Sequence, residues 1–389
     1  METLSSIKLE RGMPMVEQLS AKVRQYLKEG VYQPGTKLPS TAELARMWES
    51  DVRTVHRAMA ILVKEGLLRR KPGSGTFVRE RSEVLTRVAI YCSRELLGAR
   101  GSLYAQSLQS ALDAELKEKG LEVQHWVDSR SEGKTREPWA SLMNAARRRD
   151  FQAVIVPMTD LSQLAWLSKL PVPTAFHCSE DISNGVKFDQ NQLIELGLEK
   201  LASQGCRSVG LISPLATHVL KKTQLHHPNE EFYEIFTEIA CSKGLEIRNE
   251  WMYAAHHEDD LRNVTHEQFG YQQFNKLWQC AEKPDGLFVY PDSVVRGVLM
   301  GIARHGVRVP EELKLVLHKN AGSDLLCPFR ADFVVSDERE VAAALAGQII
   351  RQAQGQNVVT QYIRFHLSES RPEDLSLPNH NKKALAKFK

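Results

Sequence analysis

No CxxC pair, no catalytic signature and no apolar run approaching about 18 residues occurs in this chain, and each absence removes a class of protein. A membrane-spanning helix is not expected. Met1 to Arg11 carries charges and no apolar h-region, so a secretory leader is not expected either, and the cytoplasm is the expected location. The six cysteines, Cys92, Cys178, Cys206, Cys241, Cys280 and Cys327, stand apart, without paired spacing or clustered histidines. Buried free thiols are expected, with no disulfide and no metal. The pairs His226-His227 and His256-His257 lack the i, i+4 spacing of helical metal ligands and read as loop histidines. A GxSxG elbow, a P-loop and a GxGxxG turn after a strand are all missing, so no enzyme and no cofactor are expected.

What is present fits a globular chain of two or three domains: 389 residues, 42% hydrophobic and 25% charged. The net charge of +3 is unevenly spread. Residues 1–81 hold 15 Lys and Arg against 9 Asp and Glu, whereas the remainder is slightly acidic. A basic head on an acidic body suits contact with a polyanion at one end.

The head's pattern is specific. Met15, Leu19, Val23, Tyr26 and Leu27 recur at helical spacing up to Gly30, and Pro34-Gly35 marks a turn. Ser40 with Glu43 three residues later forms a capping box for a second helix whose inner face is Leu44, Ala45 and Trp48. Asp51 caps a third, with Val55, Met59 and Leu62 inward, Val52, Arg53, His56 and Arg57 outward, and Gly66 as its stop. Leu67 to Lys71 and Thr76 to Arg79 then read as strands around Pro72-Gly73-Ser74-Gly75. Two helices and a basic hairpin in this order predict a winged helix-turn-helix, with the third helix for the DNA major groove and the wing for phosphate or minor groove.

Pro34-Gly35, Leu38-Pro39-Ser40, Glu43-Leu44-Ala45, Thr54-Val55, Ala58, Glu65-Gly66-Leu67 and Gly73 to Val78 together resemble a GntR-type winged helix over about Pro14 to Val78. The candidate DNA-contacting residues are Ser40, Thr41, Arg53, Thr54, His56, Arg57, Arg69, Arg70, Lys71 and Gly75. That family usually has arginine where Ala42, Val52 and His56 stand, so the resemblance implies an operator of its own, with Arg53 and Arg57 as substitutes. Capping or packing is an equally open role for Ser40 and Thr54.

Past a charged connector, strands alternate with helices. Arg87 to Cys92, Leu121 to Trp126, Ala153 to Pro157 and Pro173 to Phe176 are strand runs separated by helices from Leu103, Leu142 and Leu161. After Val186 to Asp189 a second round follows: helix Leu193 to Gln204, strand Ser208 to Ile212, helix Glu230 to Lys243, strand Gly286 to Tyr290, helix Ser293 to His305, strand Leu313 to Leu317 and helix Glu338 to Gln354. This alternation predicts an α/β body of two doubly wound parallel-sheet lobes, with ligands at the strand carboxyl ends in the cleft between them.

Val88 to Tyr91, Phe151 to Val156, Gln204 to Ile212 and above all Lys283 to Phe288, Asp292, Gly297 and Gly306 to Glu312 resemble the regulatory domain of LacI/GalR-type repressors, itself similar to periplasmic binding proteins. The resemblance spans roughly Arg87 to Leu367, and the whole arrangement is like that of arabinose-operon repressors. It implies a small-molecule effector, a sugar or sugar derivative, met by Ser93, Arg94, Tyr104, Asp189, Asp292 and His318. Helix capping by Asp189 or Asp292 and a core place for Tyr104 stay open. Departures from the family, His318-Lys319-Asn320 and Lys221 to Pro228 without its ligand arginine, leave two readings: an unusual ligand, an acidic one among the options, or a lost site.

The expected organisation is a DNA-binding head over residues 1–80, a linker 81–86, a two-lobed effector and dimerisation domain 87–368, and a disordered basic tail 369–389. Its expected partners are a double-stranded DNA operator, a sugar-like effector and a second copy of the chain, with no membrane. A homodimeric regulator of a carbohydrate-related operon, acting as a repressor, is the leading functional expectation. An architectural DNA-binding dimer with a silent sensor is the alternative.

Overall fold

Helices and a hairpin close around one apolar seam in the head: α1 (Met15–Lys28), α2 (Thr41–Met47), α3 (Val52–Lys64), β1 (Leu68–Lys71) and β2 (Gly75–Val78). The structure, a computed structural model, describes residues 14–28, 31–32, 35–65, 67–78, 85–94, 103–159, 161–214, 228–254 and 264–370. The expected turn residues Gly30, Pro34 and Gly66 lie outside these. Leu19, Val23 and Tyr26 of α1 meet Leu44 and Trp48, then Val55, Met59 and Leu62 of α3, with Leu68 and Val78 sealing the wing side. The capping box forms as its residue types dictate: Glu43 N donates to Ser40 Oγ at 3.2 Å, and Ser40 N donates to Glu43 Oε2 at 2.7 Å. Asp51 Oδ1 accepts from Thr54 N at 2.9 Å and starts α3. β1 and β2 pair antiparallel from Leu68↔Val78 to Lys71↔Gly75, β1 starting one residue later and β2 one residue earlier than expected.

The chain divides into two compact units between Val84 and Leu85. Residues 81–84 of the expected linker are outside the described residues. Leu85 already packs on the body's core and Thr86 donates to Gln152 Oε1, so the body begins at residue 85 rather than 87.

The body's first lobe contains β3 (Arg87–Ser93), α4 (Leu103–Glu118), β4 (Glu122–Asp128), α5 (Ala140–Arg148), β5 (Ala153–Val156), α6 (Leu161–Leu167), β6 (Thr174–His177) and β7 (Gly185–Phe188). Its second lobe contains α7 (Gln190–Ser203), β8 (Val209–Ser213), α8 (Pro228–Ser242), β9 (Met252–Ala254), α9 (His266–Gln279), β10 (Gly286–Val289), α10 (Asp292–His305), β11 (Lys314–Asn320) and β12 (Ala331–Ser336). The chain then returns through α11 (Glu338–Ala353) and β13 (Gln361–Ile363) to the first lobe and ends the described body in the second with β14 (His366–Ser370). β14 carries the fold two residues past the expected boundary at 368; residues 371–389 of the expected tail lie outside the described residues.

The sheet orders are β13-β7-β6-β5-β3-β4 and β14-β12-β11-β10-β8-β9. All neighbours are parallel except β12 and β14. Parallel strands need helices on both faces, which is why each lobe holds two apolar clusters, one per face. Chain crossings between the lobes fall after β7, after β12 and between β13 and β14.

The sequence reading passed over β9, α9 and β12. Its expectation of buried thiols holds for Cys92, Cys206 and Cys327, whereas Cys178 and Cys280 are half-buried and Cys241 is exposed, since it sits on the outer side of α8. All six are free. No helix among the described residues is long and apolar enough to cross a membrane.

α9 and α10 approach so closely that small residues are required at their crossing. A Cβ on Gly297 would overlap the carbonyl oxygen of Glu267, and one on Gly270 that of Val294. Gly297→Ala is therefore expected to cost roughly 1–3 kcal/mol by overpacking, read from the urea midpoint of the full chain. An unchanged midpoint would mean the helices can part freely.

Candidate nucleic-acid interface and effector cleft

On the head, α3 turns Val55, Ala58, Met59 and Leu62 inward, and the 3.6-residue period leaves Arg53, His56 and Arg57 exposed on the opposite face. Arg69, Arg70 and Lys71 are exposed along β1, and Lys71 Nζ lies 5.4 Å from the Phe77 ring centre. Gly75 has φ +128°, a backbone conformation that favours glycine, and faces the Lys37 side chain. Between the start of α2 and the wing turn runs a groove of about 900 Å³ bordered by Lys37, Ser40, Glu43, Arg46, Gly73 and Ser74. Lys37 and Arg46 were not foreseen; their signal was only charge beside the Leu38-Pro39-Ser40 run.

Two expected contacts are modified by internal bonding. Thr54 Oγ1 donates to Asp51 Oδ2, so its hydroxyl proton is committed to the cap instead of a phosphate. Ser40 Oγ accepts in the capping box and keeps its proton, while Thr41 begins α2 half-buried. Hydrogen bonds to Ser40 and to Thr54 hold the Glu43 and Asp51 carboxyls, respectively, below their ordinary range.

His56 and Arg70 act together. Arg70 Nη1 donates to His56 Nε2 at 2.9 Å and Nη2 to the His56 carbonyl at 3.4 Å. Guanidinium only donates, so His56 Nε2 must be the unprotonated nitrogen. The pair ties the wing to the outer face of α3 and sets an arginine where the helix itself has histidine. If it works as a unit on DNA, His56→Ala, Arg70→Ala and the double variant should weaken duplex binding non-additively, with a coupling of about 0.5–1.5 kcal/mol by fluorescence anisotropy. Additive losses would show two independent residues.

In the body, Tyr104, Asp292 and His318 come together at the strand carboxyl ends with residues the sequence reading missed. His177 Nδ1 donates to the Val186 carbonyl at 2.9 Å, so its Nε2 accepts from the Tyr104 hydroxyl at 2.9 Å. Burial, then Tyr290, Glu338 and Asp292, push the Tyr104 hydroxyl well above its ordinary value. Phe188 lies 5.9 Å from Tyr104 and 5.2 Å from Phe365, placing aromatic rings at two lobe crossings.

Opposite, four side chains close a ring of hydrogen bonds. The Asp292 backbone N–H donates to His318 Nδ1 at 3.1 Å, and His318 Nε2 donates to Ser336 Oγ at 3.1 Å. Ser336 Oγ donates to Asn320 Oδ1 at 2.7 Å, and Asn320 Nδ2 returns to Asp292 Oδ2 at 2.6 Å. His318, expected to meet an effector, is 2% exposed and uses both ring nitrogens to hold protein groups. Asp189, also expected in the site, spends Oδ1 on capping α7 through Gln192 N at 3.0 Å. Asp292 is the first residue of α10 after the N-cap Pro291, not its cap. Ser93 is buried beside Asp128 in strand register, and Arg94 is exposed next to it; neither shares a bond with the ring. Ends of β6 and β11 point to His177 and Asn320 by the strand-end rule. Ser336 ends a strand that the sequence pattern does not mark, and Glu338, though read as the start of a helix, carries no site signal in the sequence.

Burial pushes the Asp292 carboxyl up, and burial alone pushes His318 down to about 3. For His318 the folded pKa is below the unfolded one, so the stability is present above about 6.5 and lost as pH falls toward 3. Acidifying from pH 6.5 to 5 should thus destabilise the body by up to about 2 kcal/mol on this account alone. His318→Gln should flatten that dependence in urea unfolding; an identical slope would remove His318 as its source.

The fold and site define a winged helix-turn-helix head followed by a two-lobed, parallel-sheet body. Residues 15–78 match the family described as bacterial regulatory proteins, gntR family, and residues 198–366 match the periplasmic binding protein-like domain. The chain therefore carries a GntR-type helix-turn-helix domain at its N-terminus and a periplasmic-binding-protein-like domain after it. The HTH-type transcriptional repressor PurR of Actinobacillus pleuropneumoniae is 23% identical over 128 residues, 33% of each chain. The HTH-type regulator YurK of Bacillus subtilis is 34% identical over 97 residues, 25% of this chain and 36% of that one. The chain thus spans about a third of the length of these relatives. Among solved structures, a LacI family transcription regulator from Clostridium acetobutylicum superposes with a TM-score of 0.55 at 16% identity, covering 73% of this chain and 98% of that one. The lac repressor dimer bound to operator and the anti-inducer ONPF gives 0.55 at 16% identity, over 74% and 94%. These likenesses establish the shared fold.

Proposed function

We propose that the chain is a ligand-responsive transcriptional regulator: a homodimer whose heads read a palindromic operator of a carbohydrate-related operon, repressing it until a sugar-like effector enters the interlobe cleft. The observation that carries this is one chain holding both an exposed cationic α3-and-wing face and a separately folded two-lobed body whose strand ends converge on Tyr104, Asp292 and Asn320. Relatives named as transcriptional repressors support the output. Arg53, Arg57, Arg69, Arg70 and Lys71 are the proposed DNA contacts, with Ser40, Thr41 and Gly75 beside them. Ser93, Arg94, Tyr104 and Asp292 are the proposed effector-side residues.

Effector binding would close the lobes and shift the dimer away from the head spacing that fits DNA; a tenfold loss of affinity needs only about 1.4 kcal/mol of coupling. A second reading, an architectural DNA-binding dimer, draws on the His318 ring being satisfied by protein groups alone.

Gel shift against the DNA upstream of the protein's own gene tests the proposal. Specific binding should exceed that to random duplex. Arg53→Ala should relax base preference, whereas Lys71→Ala should weaken binding to all sequences and flatten the salt slope. Equal binding to both duplexes would defeat the regulator reading.

A further inference from the structure

Glu338, the first residue of α11, is 3% exposed, and one of its carboxylate oxygens has no partner. Oε2 accepts from Gly322 N at 3.2 Å, while Oε1 is buried without a hydrogen bond. A carboxylate oxygen kept from water and given no donor is costly, so it calls for a group that the protein does not supply. Its position is the lobe boundary. Gly322 follows β11 of the second lobe, and a Cβ there would stand 2.6 Å from Ser107 Oγ of α4 in the first lobe and 3.3 Å from Glu338 Oε1.

A second carboxylate stands on the other side of the same turn. Asn320 and Ser323 bond the Asp292 side chain, and Gly322 bonds Glu338, so one four-residue turn holds both acids. Both act on the Tyr104 hydroxyl. The neighbouring histidines do not neutralise them: burial holds His318 and His266 below the ordinary imidazole range, and His266 is bonded to Ser293 at 2.9 Å. Asp337 and Arg339 pair with each other at 2.7 Å. Each acid also occupies the N-terminus of its own helix, α10 or α11, where an acidic ligand would otherwise bind.

We infer that Glu338 is an effector-binding residue and that the effector carries an amine, an amino sugar or similar polyhydroxy ammonium compound, whose N–H groups reach Glu338 Oε1 and the Asp292 side. An ammonium gives the open Glu338 oxygen a charge-assisted hydrogen bond, about twice as strong as the one a neutral hydroxyl gives. The inference rests on the effector-cleft reading above and narrows its ligand class.

Calorimetric titration of the full chain with glucosamine, galactosamine and mannosamine, each beside its neutral parent sugar, tests it. At least one amine should bind tenfold or more tightly than its parent, and Glu338→Gln should collapse that ratio. Asp337→Asn, whose side chain faces Arg339, should retain it, and circular dichroism checks that both variants fold. Neutral sugars binding as well as their amines would overturn the amine assignment and leave the cleft reading standing. A preference that survives in Glu338→Gln would overturn Glu338 as its source, and silence of the whole panel would overturn both the assignment and the sugar-sensor reading.

Discussion

Parallel strands cannot face water on either side, and that constraint arranges the body. Each six-stranded sheet is covered on both faces, so the carboxyl ends of the strands are the places where polar side chains can gather without breaking a core. His177, Asn320 and Ser336 end their strands there, and Asp292 and Glu338 open the helices that follow β10 and β12. The chain crosses between lobes beside these same ends, with Phe188 and Phe365 packed together at two crossings. The polar groups gathered there are therefore fixed to elements of both lobes.

The polar ring of Asp292, His318, Ser336 and Asn320 ties β11, β12 and the start of α10 together. Each donor has an acceptor and each partner is held by a strand end or helix start, so the ring does not depend on water to stay ordered. The contrast with Glu338 is informative: in the same neighbourhood Asp292 Oδ2 accepts from Asn320 Nδ2 at 2.6 Å, whereas Glu338 keeps an open oxygen. Satisfied groups build a site and unsatisfied ones point to what fills it. In the head the same accounting applies at smaller scale, where Arg70 supplies to α3 the guanidinium that position 56 lacks.

Much of this was legible in the sequence because local rules and fold agree. Ser40 and Asp51 cap as their residue types require, the α3 stripe divides cleanly, and the βα alternation produces the two lobes. The losses have physical causes. α9 carries Gly270 in its interior and four residues between Phe269 and Phe274, since its packing depends on closeness to α10 rather than on a regular stripe. β12, a short run after Pro328 and Arg330, has no clear turn before it, so Ser336 at its end could not be placed, although the helix from Glu338 was legible. Tyr104 was proposed from the family resemblance, Asp292 from its place after Tyr290-Pro291 and His318 from its place after the Leu313 to Leu317 strand. Whether each touches ligand or holds its neighbour is decided by hydrogen bonds that no pattern in the chain encodes.

The central claim is that the state of the interlobe cleft controls the head, and a wedge tests it without knowing the effector. Gly322 faces Ser107 across the lobe boundary with no room for a side chain, so Gly322→Trp should force the lobes apart. Small-angle scattering verifies the opening, and anisotropy then measures affinity for the DNA upstream of the protein's own gene. The account predicts a change of tenfold or more in that affinity although the substitution lies outside the head; an opened body with unchanged DNA affinity would contradict it.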